Sequence, residues 1–471
     1  METQQASELF ELLLKAREDR QQQKMELVTE GFHLVSLQLN IPGLPKTDWL
    51  LKEFISLVDD AFSRFLISHN SNNQWSRKLK ERDEAGDAVY YLFKASHFDA
   101  PQLKVLTEQF EQSFVLGRIV DLDVLSTDGE PISFGRKKAC FICDHSALHC
   151  RKNKRHSIDE VRQAMLDAIS VYIRKNKEEE LVNKVAGFAV KGLLHEVSLS
   201  PKPGLVCRHS AGAHTDMDFT TFVNTIAVLS PYFVEINRLA LAFKGSDVSK
   251  ALPEIRIIGL KMEQSMQDAT NGVNTHKGAI FLMAISCFAM VRVINKLGYL
   301  KLTSFSSVVQ QLSRGLVQRE LCAVDAKDEL THGQQCFIQY GLQAAGARGE
   351  AEQGLPMVLH HGLPFILSKL KKGFNHYSDK ELKELLIPVL LKIMSVNNDT
   401  NVLYRHNRTI LEQLKQQSAK SLLLWEQENK QPYNELVDWC NSHRISPGGS
   451  ADLLALTISL YCCQTEFSKK A

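Results

Sequence analysis

A chain of 471 residues with 44% hydrophobic and 23% charged residues has the length for two or three ordinary domains and the make-up of a soluble globular protein. Its formal net charge of +2 excludes a general nucleic-acid binder, and ten cysteines without a secretory leader predict reduced thiols in a cytoplasmic protein. The longest apolar run, Ala279 to Val291, is closed by Arg292 and Lys296 and is too short for a bilayer, so it predicts a buried helix and no membrane partner.

Met1 to Arg20 carries acids and lacks the basic-then-apolar pattern of a leader; the spacing predicts an amphipathic helix over Ala6 to Leu27. Val35, Leu37 and Leu39 alternate with Ser36 and Gln38, a strand closed by the turn Asn40-Ile41-Pro42-Gly43. A helix over Trp49 to Leu66 follows. Asp87 to Phe93 and Phe114 to Leu125, rich in β-branched and aromatic residues, predict two more strands. At Ser157-Ile158-Asp159-Glu160 a hydroxyl and a carboxylate three residues on have the form of a helix capping box, and the texture turns helical from there. Leu382 to Met394, Ile410 to Trp425 and Ala451 to Cys463 all show apolar spacing of three and four, with Pro388 expected to kink or divide the first. The reading is an α+β domain over residues 1–160 followed by a mostly α-helical domain over 161–471.

In the first domain the sharpest signal is Gly117-Arg118-Ile119-Val120-Asp121-Leu122-Asp123-Val124. On a strand, the period of two puts Asp121 and Asp123 on one face and buries Val120, Leu122 and Val124 on the other. Two such carboxylates can share Mg2+, which orients a triphosphate and offsets charge on a pyrophosphate leaving group. Gly117 would let backbone approach a phosphate, and Arg118 would supply a positive fork. Downstream, Cys140-x2-Cys143-x6-Cys150-x5-His156 lies among Arg136, Lys137, Lys138, Arg151, Lys152, Lys154 and Arg155. Three thiols and an imidazole suit zinc, but the gap of six is not a common zinc spacing; reduced structural cysteines are the other reading.

GRIVDLDV followed by ACFICDHSALHCRKNKRHS resembles the CitX family, which transfers phosphoribosyl-dephospho-CoA to the apo acyl carrier protein of citrate lyase. Lys15 to Gln21, Asn40 to Gly43 and Lys46 extend the likeness over nearly the whole domain. The resemblance implies a nucleotidyltransferase-like fold in which a carrier serine attacks the α-phosphate and pyrophosphate leaves. It assigns the metal to Asp121 and Asp123 and phosphate to Arg118, with Arg17, Arg20 and Lys46 as further phosphate contacts.

Four loop-like constellations mark the second domain. The first is Glu196, then Ser200-Pro201-Lys202-Pro203-Gly204, then Gly212-Ala213-His214-Thr215-Asp216-Met217-Asp218. A helix starting near His214 would put His214 and Asp218 on one face with Asp216 in the first turn, able to bind Mg2+ or take a proton. The second, Thr270 to Gly278, runs into the apolar helix; Asn274, His276, Lys277 and backbone amides there would suit phosphate. The third is Gly346-Ala347-Arg348-Gly349-Glu350-Ala351, and the fourth is Pro447-Gly448-Gly449-Ser450-Ala451-Asp452. Together they predict a polyphosphate site at the ends of a helical bundle.

SPKPGLV, GAHTDMD, TNGVNTHKGAIF, GARGEA and SPGGSADLLA, in this order, resemble the CitG family of triphosphoribosyl-dephospho-CoA synthases. That family joins ATP to 3′-dephospho-CoA and releases adenine. The resemblance implies His214, Asp216 and Asp218 for base and metal work, and Lys202, His276, Lys277 and Arg348 for the triphosphate. Glu350 and Asp399 would bind metal or hold Arg348 and Arg405. Two departures stand out: Cys207 where the family has an acid, and His406-Asn407 where glycines are expected after the Asp399-Thr400-Asn401 segment. Together the two resemblances imply fused enzymes that make the prosthetic group and attach it to the γ-subunit carrier of citrate lyase. A non-catalytic assembly factor, or a transferase with a decayed synthase half, is the alternative.

Overall fold

The computed structural model describes residues 2–29, 31–69, 75–135, 138–322, 330–371 and 373–469; Arg136 and Lys137 of the basic segment lie outside the described residues. The chain falls into two compact units, Met1–Lys177 and Glu178–Ala471. The first contains α1 (Glu2–Thr29), β1 (Phe32–Leu39), α2 (Trp49–His69), β2 (Arg77–Asp83), β3 (Gly86–Lys94), α3 (Ala100–Ser113), β4 (Val120–Leu125), β5 (Pro131–Ile132) and α4 (Ala147–Lys152). Helix α5 (Ile158–Ser198) contains the division between the units. The second unit continues with α6 (Phe219–Ala242), α7 (Leu252–Thr270), α8 (Lys277–Leu297), α9 (Leu302–Ser313), α10 (His332–Tyr340), α11 (Gly346–Glu352) and α12 (Leu363–Lys369). It ends with α13 (Asp379–Met394), α14 (Thr400–Arg405), α15 (Arg408–Trp425), α16 (Gln431–Ser442) and α17 (Gly448–Glu466).

The five strands form one antiparallel sheet in the order β2-β3-β1-β4-β5. Strand period sorts its two faces. Val35, Leu37, Val89, Tyr91, Phe93, Val120, Leu122 and Val124 point into a core shared with α2, α3 and the start of α5. On the opposite face, Leu34, Tyr90, Leu92 and Leu125 pack with Leu27 and Val28 of α1. That face also carries Ser36, Gln38, Asp121 and Asp123, paired in register as Ser36 with Asp123 and Gln38 with Asp121. The alternation expected around the two aspartates is therefore present, with Val120, Leu122 and Val124 buried.

The strand expected from Phe114 begins only at Val120. Residues 114–119 are turns, closed by Gly117 N–H to the Phe114 carbonyl at 2.8 Å and Val120 N–H to the Gly117 carbonyl at 3.1 Å. Phe114 and Leu116 pack on the core from these turns, so their apolar character reflects burial and not strand pairing. A Cβ at Gly117 would collide with the Glu111 main chain, which accounts for this glycine by packing. Gly117→Ala is expected to destabilise the first unit by about 2 kcal/mol or more, read as an earlier denaturant midpoint for that unit.

The Ser157/Glu160 capping box forms as expected: Ser157 N–H donates to the Glu160 carboxylate at 2.7 Å, and Glu160 N–H to Ser157 Oγ at 3.1 Å. In the second unit α8 is the core helix, buried from Ala279 to Val291 save Phe281 and packed by α6, α7, α9 and α17. Helices α6 and α8 are long and apolar enough to cross a membrane by length and composition; most of α8 is buried in the unit, and α6 turns Ile226, Leu229, Phe233 and Ile236 into the same core. Gly192 lets α5 close on the Ala455 main chain of α17. Pro388 does not divide α13, which runs unbroken with Leu386, Ile387, Val389 and Leu390 buried; that burial offsets the missing backbone hydrogen bond.

Candidate active sites

In the first unit the polar face of the sheet lies beside α1, whose Arg17, Arg20 and Lys24 recur at i, i+3 and i+7. Arg20 is buried and forks onto Asp83, both contacts at 2.6 Å, and onto the Gly86 carbonyl. Its remaining nitrogen reaches Gln38 at 3.5 Å. Lys24 is buried as well, and burial pushes its ammonium down from the usual lysine range against the pull of Asp123. Lys104 Nζ donates to the Leu122 carbonyl at 3.1 Å beside the same carboxylates, and Lys138 pairs with Asp121.

Crowding by protein, then the neighbouring Asp121 charge, push the Asp123 carboxyl above the usual range even though solvent reaches the residue. Two like charges on adjacent positions of one face, ringed by Lys24, Lys104 and Lys138, are the donors and cations that a divalent ion with a polyphosphate would require. Arg118 lies within electrostatic reach of Asp121 but spends part of its fork on the main chain. It sits in the turn before β4 and its Nε donates to the Ala139 carbonyl at 2.5 Å, while Nη1 is buried without a partner. Lys46 donates to the Ile41 carbonyl, and burial, then Arg17 and Arg162, lower its pKa; these three cations gather at the Asn40–Gly43 turn. Cys140, Cys143, Cys150 and His156 also come together, on the segment that carries Lys138.

In the second unit the four constellations meet. Gly204, held at a φ of +64°, packs on the Ile445 carbonyl, which joins the first to the fourth. His214 Nε2 lies 2.8 Å from Ser446 Oγ and strengthens that junction. Gly278 abuts the Asp452 carboxyl, joining the second to the fourth, and Gly346 of the third touches Thr400 beside Asp399. At the centre lie Glu196, Lys202, His276, Asp399 and Asp452.

Lys202 is not a free cation. The residue is 2% exposed, and its ammonium is taken up by the Glu196 carboxylate and, at 2.8 Å, the Glu196 carbonyl. Burial, and then the Lys202 charge, push the His276 imidazole down to about 3, so at neutral pH it offers a hydrogen bond and no positive charge. Its Nε2 is buried without a partner. Asp399 accepts from Ser450 N–H at 2.7 Å, Ser450 Oγ at 2.9 Å and Asn401 N–H at 3.1 Å, an arrangement that holds the turn opening α17. Burial, then Glu196 and Asp399, push Asp452 well above the carboxylate range.

The helix expected near His214 starts instead at Phe219, with Asp218 as its N-cap: Thr221 N–H donates to the Asp218 carboxylate at 2.9 Å and closes a capping box. His214 and Asp218 therefore share no helical face, because the cap stops the helix before it reaches His214. Asp216 lies 3.7 Å from His214 Nδ1 and is exposed; burial, then Arg405, lower the His214 pKa. Asn274 Oδ1 accepts from Lys277 N–H at 3.1 Å, and Lys277 Nζ pairs with Glu263 at 3.0 Å. Arg348 pairs with Glu320 at 2.5 Å and feels Glu263, so Lys277 and Arg348 share one acid.

Glu350 and Asp399 hold backbone rather than arginines. Glu350 accepts from Met357 N–H at 2.7 Å, and burial pushes it up to about 7. A folded-state pKa above the ordinary glutamate value of 4.5 means no penalty below that pH and a growing one as pH rises toward 7. Glu350→Gln keeps the acceptor and is expected to raise stability at pH 8 by about 1–2 kcal/mol, allowing for partial solvent access, with no difference near pH 4.5. Denaturant melts at the two pH values check this.

The acids at the centre stand within the motifs, Glu196 and Asp452 in the first and fourth constellations and Asp399 before Thr400-Asn401, but the motifs assign no proton donor among them. Asp452 stands just past the first turn of a helix that is otherwise almost wholly apolar, and that contrast was the available signal. Lys24 and Lys104 had only helical spacing to mark them. Of the two departures, Cys207 is 1% exposed and receives the Ser200 hydroxyl at 3.4 Å, and Asn407 caps α15 through Ile410 N–H at 3.0 Å.

A small antiparallel sheet with one cluster of carboxylates and cations, and a helical bundle with another, make a chain of two modules. Residues 9–172 match the family described as apo-citrate lyase phosphoribosyl-dephospho-CoA transferase (CitX), and residues 182–470 match that described as ATP:dephospho-CoA triphosphoribosyl transferase (CitG). The chain is 31% identical over 450 residues to Protein CitXG of Leuconostoc mesenteroides subsp. cremoris, covering 91% of each. It is 31% identical over 468 residues to Protein CitXG of Haemophilus influenzae, covering 95% of each. The 2-(5′′-triphosphoribosyl)-3′-dephosphocoenzyme-A synthase of Haemophilus ducreyi is 34% identical over 345 residues, which is 68% of this chain and 100% of that protein. The chain belongs to the CitXG family. It is a transferase of citrate lyase prosthetic-group synthesis and attachment.

Proposed function

We propose that the two activities divide between the two units, with the synthase chemistry centred on Asp452 and the attachment chemistry on the Asp121/Asp123 face. The meeting of the four loop constellations around Glu196, Asp399 and Asp452 is the observation that carries this reading. In the synthase unit a ribose hydroxyl of 3′-dephospho-CoA forms a bond to the anomeric carbon of the ATP ribose as the bond to adenine breaks. His214, neutral and oriented by Ser446, takes the hydroxyl proton, with Asp216 beside it. Asp452, protonated by its surroundings, gives a proton to the departing adenine. Lys277, Asn274 and Arg348 meet the triphosphate, and His276 adds a neutral hydrogen bond. Asp218 is spent on its helix cap, and Lys202 acts through Glu196.

In the first unit a nucleotidyltransferase-like site is built from Asp121, Asp123 and the cations beside them. Paired carboxylates are hard oxygen donors and fit Mg2+, which would offset charge on the pyrophosphate leaving group. The carrier serine attacks the α-phosphate, its oxygen replaces pyrophosphate, its hydroxyl proton leaves with the pyrophosphate, and the phosphoribosyl-dephospho-CoA passes to the carrier. Lys24, Lys104, Lys138 and Arg118 stabilise the phosphates. The macromolecular partner is the γ-subunit acyl carrier protein of apo-citrate lyase, and the reaction takes place in the cytoplasm. Incubation with ATP, Mg2+ and 3′-dephospho-CoA should release adenine. Adding apo carrier protein should then release pyrophosphate and raise the carrier mass by one phosphoribosyl-dephospho-CoA. A folded chain that releases no adenine sinks the synthase reading.

A further inference from the structure

The ligand atoms of Cys140, Cys143, Cys150 and His156 all lie within 4.8 Å of one another. Cys143 Sγ is 3.4 Å from Cys150 Sγ and 3.3 Å from His156 Nε2. Four donors around a tetrahedral zinc with bonds of about 2.0–2.3 Å stand about 3.5–3.8 Å apart, so little movement is needed to close the shell.

The fold also explains the unusual gap of six. Cys140 and Cys143 lie on a tight loop, with Cys140 N–H donating to the His145 carbonyl at 2.7 Å and Ala147 N–H to the Lys138 carbonyl at 3.0 Å. The Ile142 and Cys143 amides face the Cys140 sulfur. Ser146 then caps α4, and that helix turns Cys150 inward toward the loop. His156 follows where the Ser157/Glu160 capping box fixes the entry to α5. Spacing that looks wrong along the chain is thus correct in space.

We propose that these four residues bind one structural zinc ion that pins residues 138–156 beside the Asp121 carboxylate. Three soft sulfurs and an imidazole select zinc over Mg2+ or Ca2+, and four protein donors leave no open position for catalysis. The pinned segment carries Lys138, which pairs with Asp121, and Ala139, whose carbonyl receives Arg118. His145, 3.8 Å from Cys143, is the nearest competing imidazole, but it is exposed and engaged by Arg155 at 3.1 Å.

The test is metal content of the full chain, purified under reducing conditions without chelators and measured by plasma mass spectrometry. One zinc per chain, retained through desalting, is expected. Replacement by Co2+ should give thiolate charge-transfer absorption and the strong visible bands of a tetrahedral site. His156→Ala and Cys143→Ser should each lose the equivalent, while His145→Ala and Cys322→Ser should keep it. Should Cys143→Ser fail to fold, His156→Cys provides the second arm: it should retain zinc and gain thiolate absorption in the cobalt form. Equimolar iron, a metal-free chain with all thiols titratable, or a Cys143–Cys150 disulfide seen as the loss of two hydrogens would each overturn the proposal. So would zinc retained in both His156→Ala and Cys143→Ser. None of these readouts depends on either transferase activity.

Discussion

Asp121→Asn is expected to lower carrier modification at least about 1,000-fold, equivalent to about 4 kcal/mol of transition-state stabilisation, while adenine release stays within twofold of the parent. The substitution keeps shape and removes one negative charge from the pair on β4. Asp123 alone offers a weaker grip on a divalent ion, and Lys138 loses its partner. Folding should barely register the change, because the Lys138 pair is about a third exposed on each side and such pairs contribute at most about 1 kcal/mol. Supplying the triphosphoribosyl intermediate directly, with mass spectrometry of the carrier, isolates the step. Transfer at the parental rate would show that the carboxylate pair does not hold the metal.

The two faces of β4 were legible because strand period is a property of the backbone: once Val120, Leu122 and Val124 are buried, Asp121 and Asp123 must share the other side. The capping box at Ser157 was legible for the same local reason. Its counterpart at Asp218 was not anticipated, although Asp218-x-x-Thr221 has a side chain able to cap at each end. Weighting the His214/Asp218 spacing above the cap puts the helix start five residues early. Phe114 to Ile119 misled because aromatic and β-branched residues serve a buried turn as well as a strand.

The candidate sites were legible as loops and not as charges. Lys202 and His276 read as cations for phosphate, since a sequence carries no information about desolvation. In the fold, one is neutralised by Glu196 and the other is stripped of its proton by burial. Conversely, the four glycine-bearing segments lie as far apart as residues 200 and 450 and show no periodic signal linking them. Their meeting depends on contacts such as Gly204 with Ile445 and Gly278 with Asp452, which only the tertiary structure creates.

Asp452→Asn should abolish adenine release, by about 100- to 10,000-fold, and leave attachment of supplied intermediate intact. The argument turns on separating a chemical role from a structural one. Burial, then Glu196 and Asp399, push the Asp452 carboxyl well above the usual range, toward its neutral form, so an amide of the same shape costs the fold little. Glu196→Gln is the contrasting case: it leaves the Lys202 ammonium buried without its counter-charge, and removal of one partner of such a pair costs about 3–5 kcal/mol. Glu196→Gln should therefore lose adenine release together with thermal stability, whereas Asp452→Asn should lose release alone. Calorimetry run beside the adenine assay distinguishes the two. An Asp452→Asn chain that melts like the parent and still releases adenine would move the proton donor elsewhere.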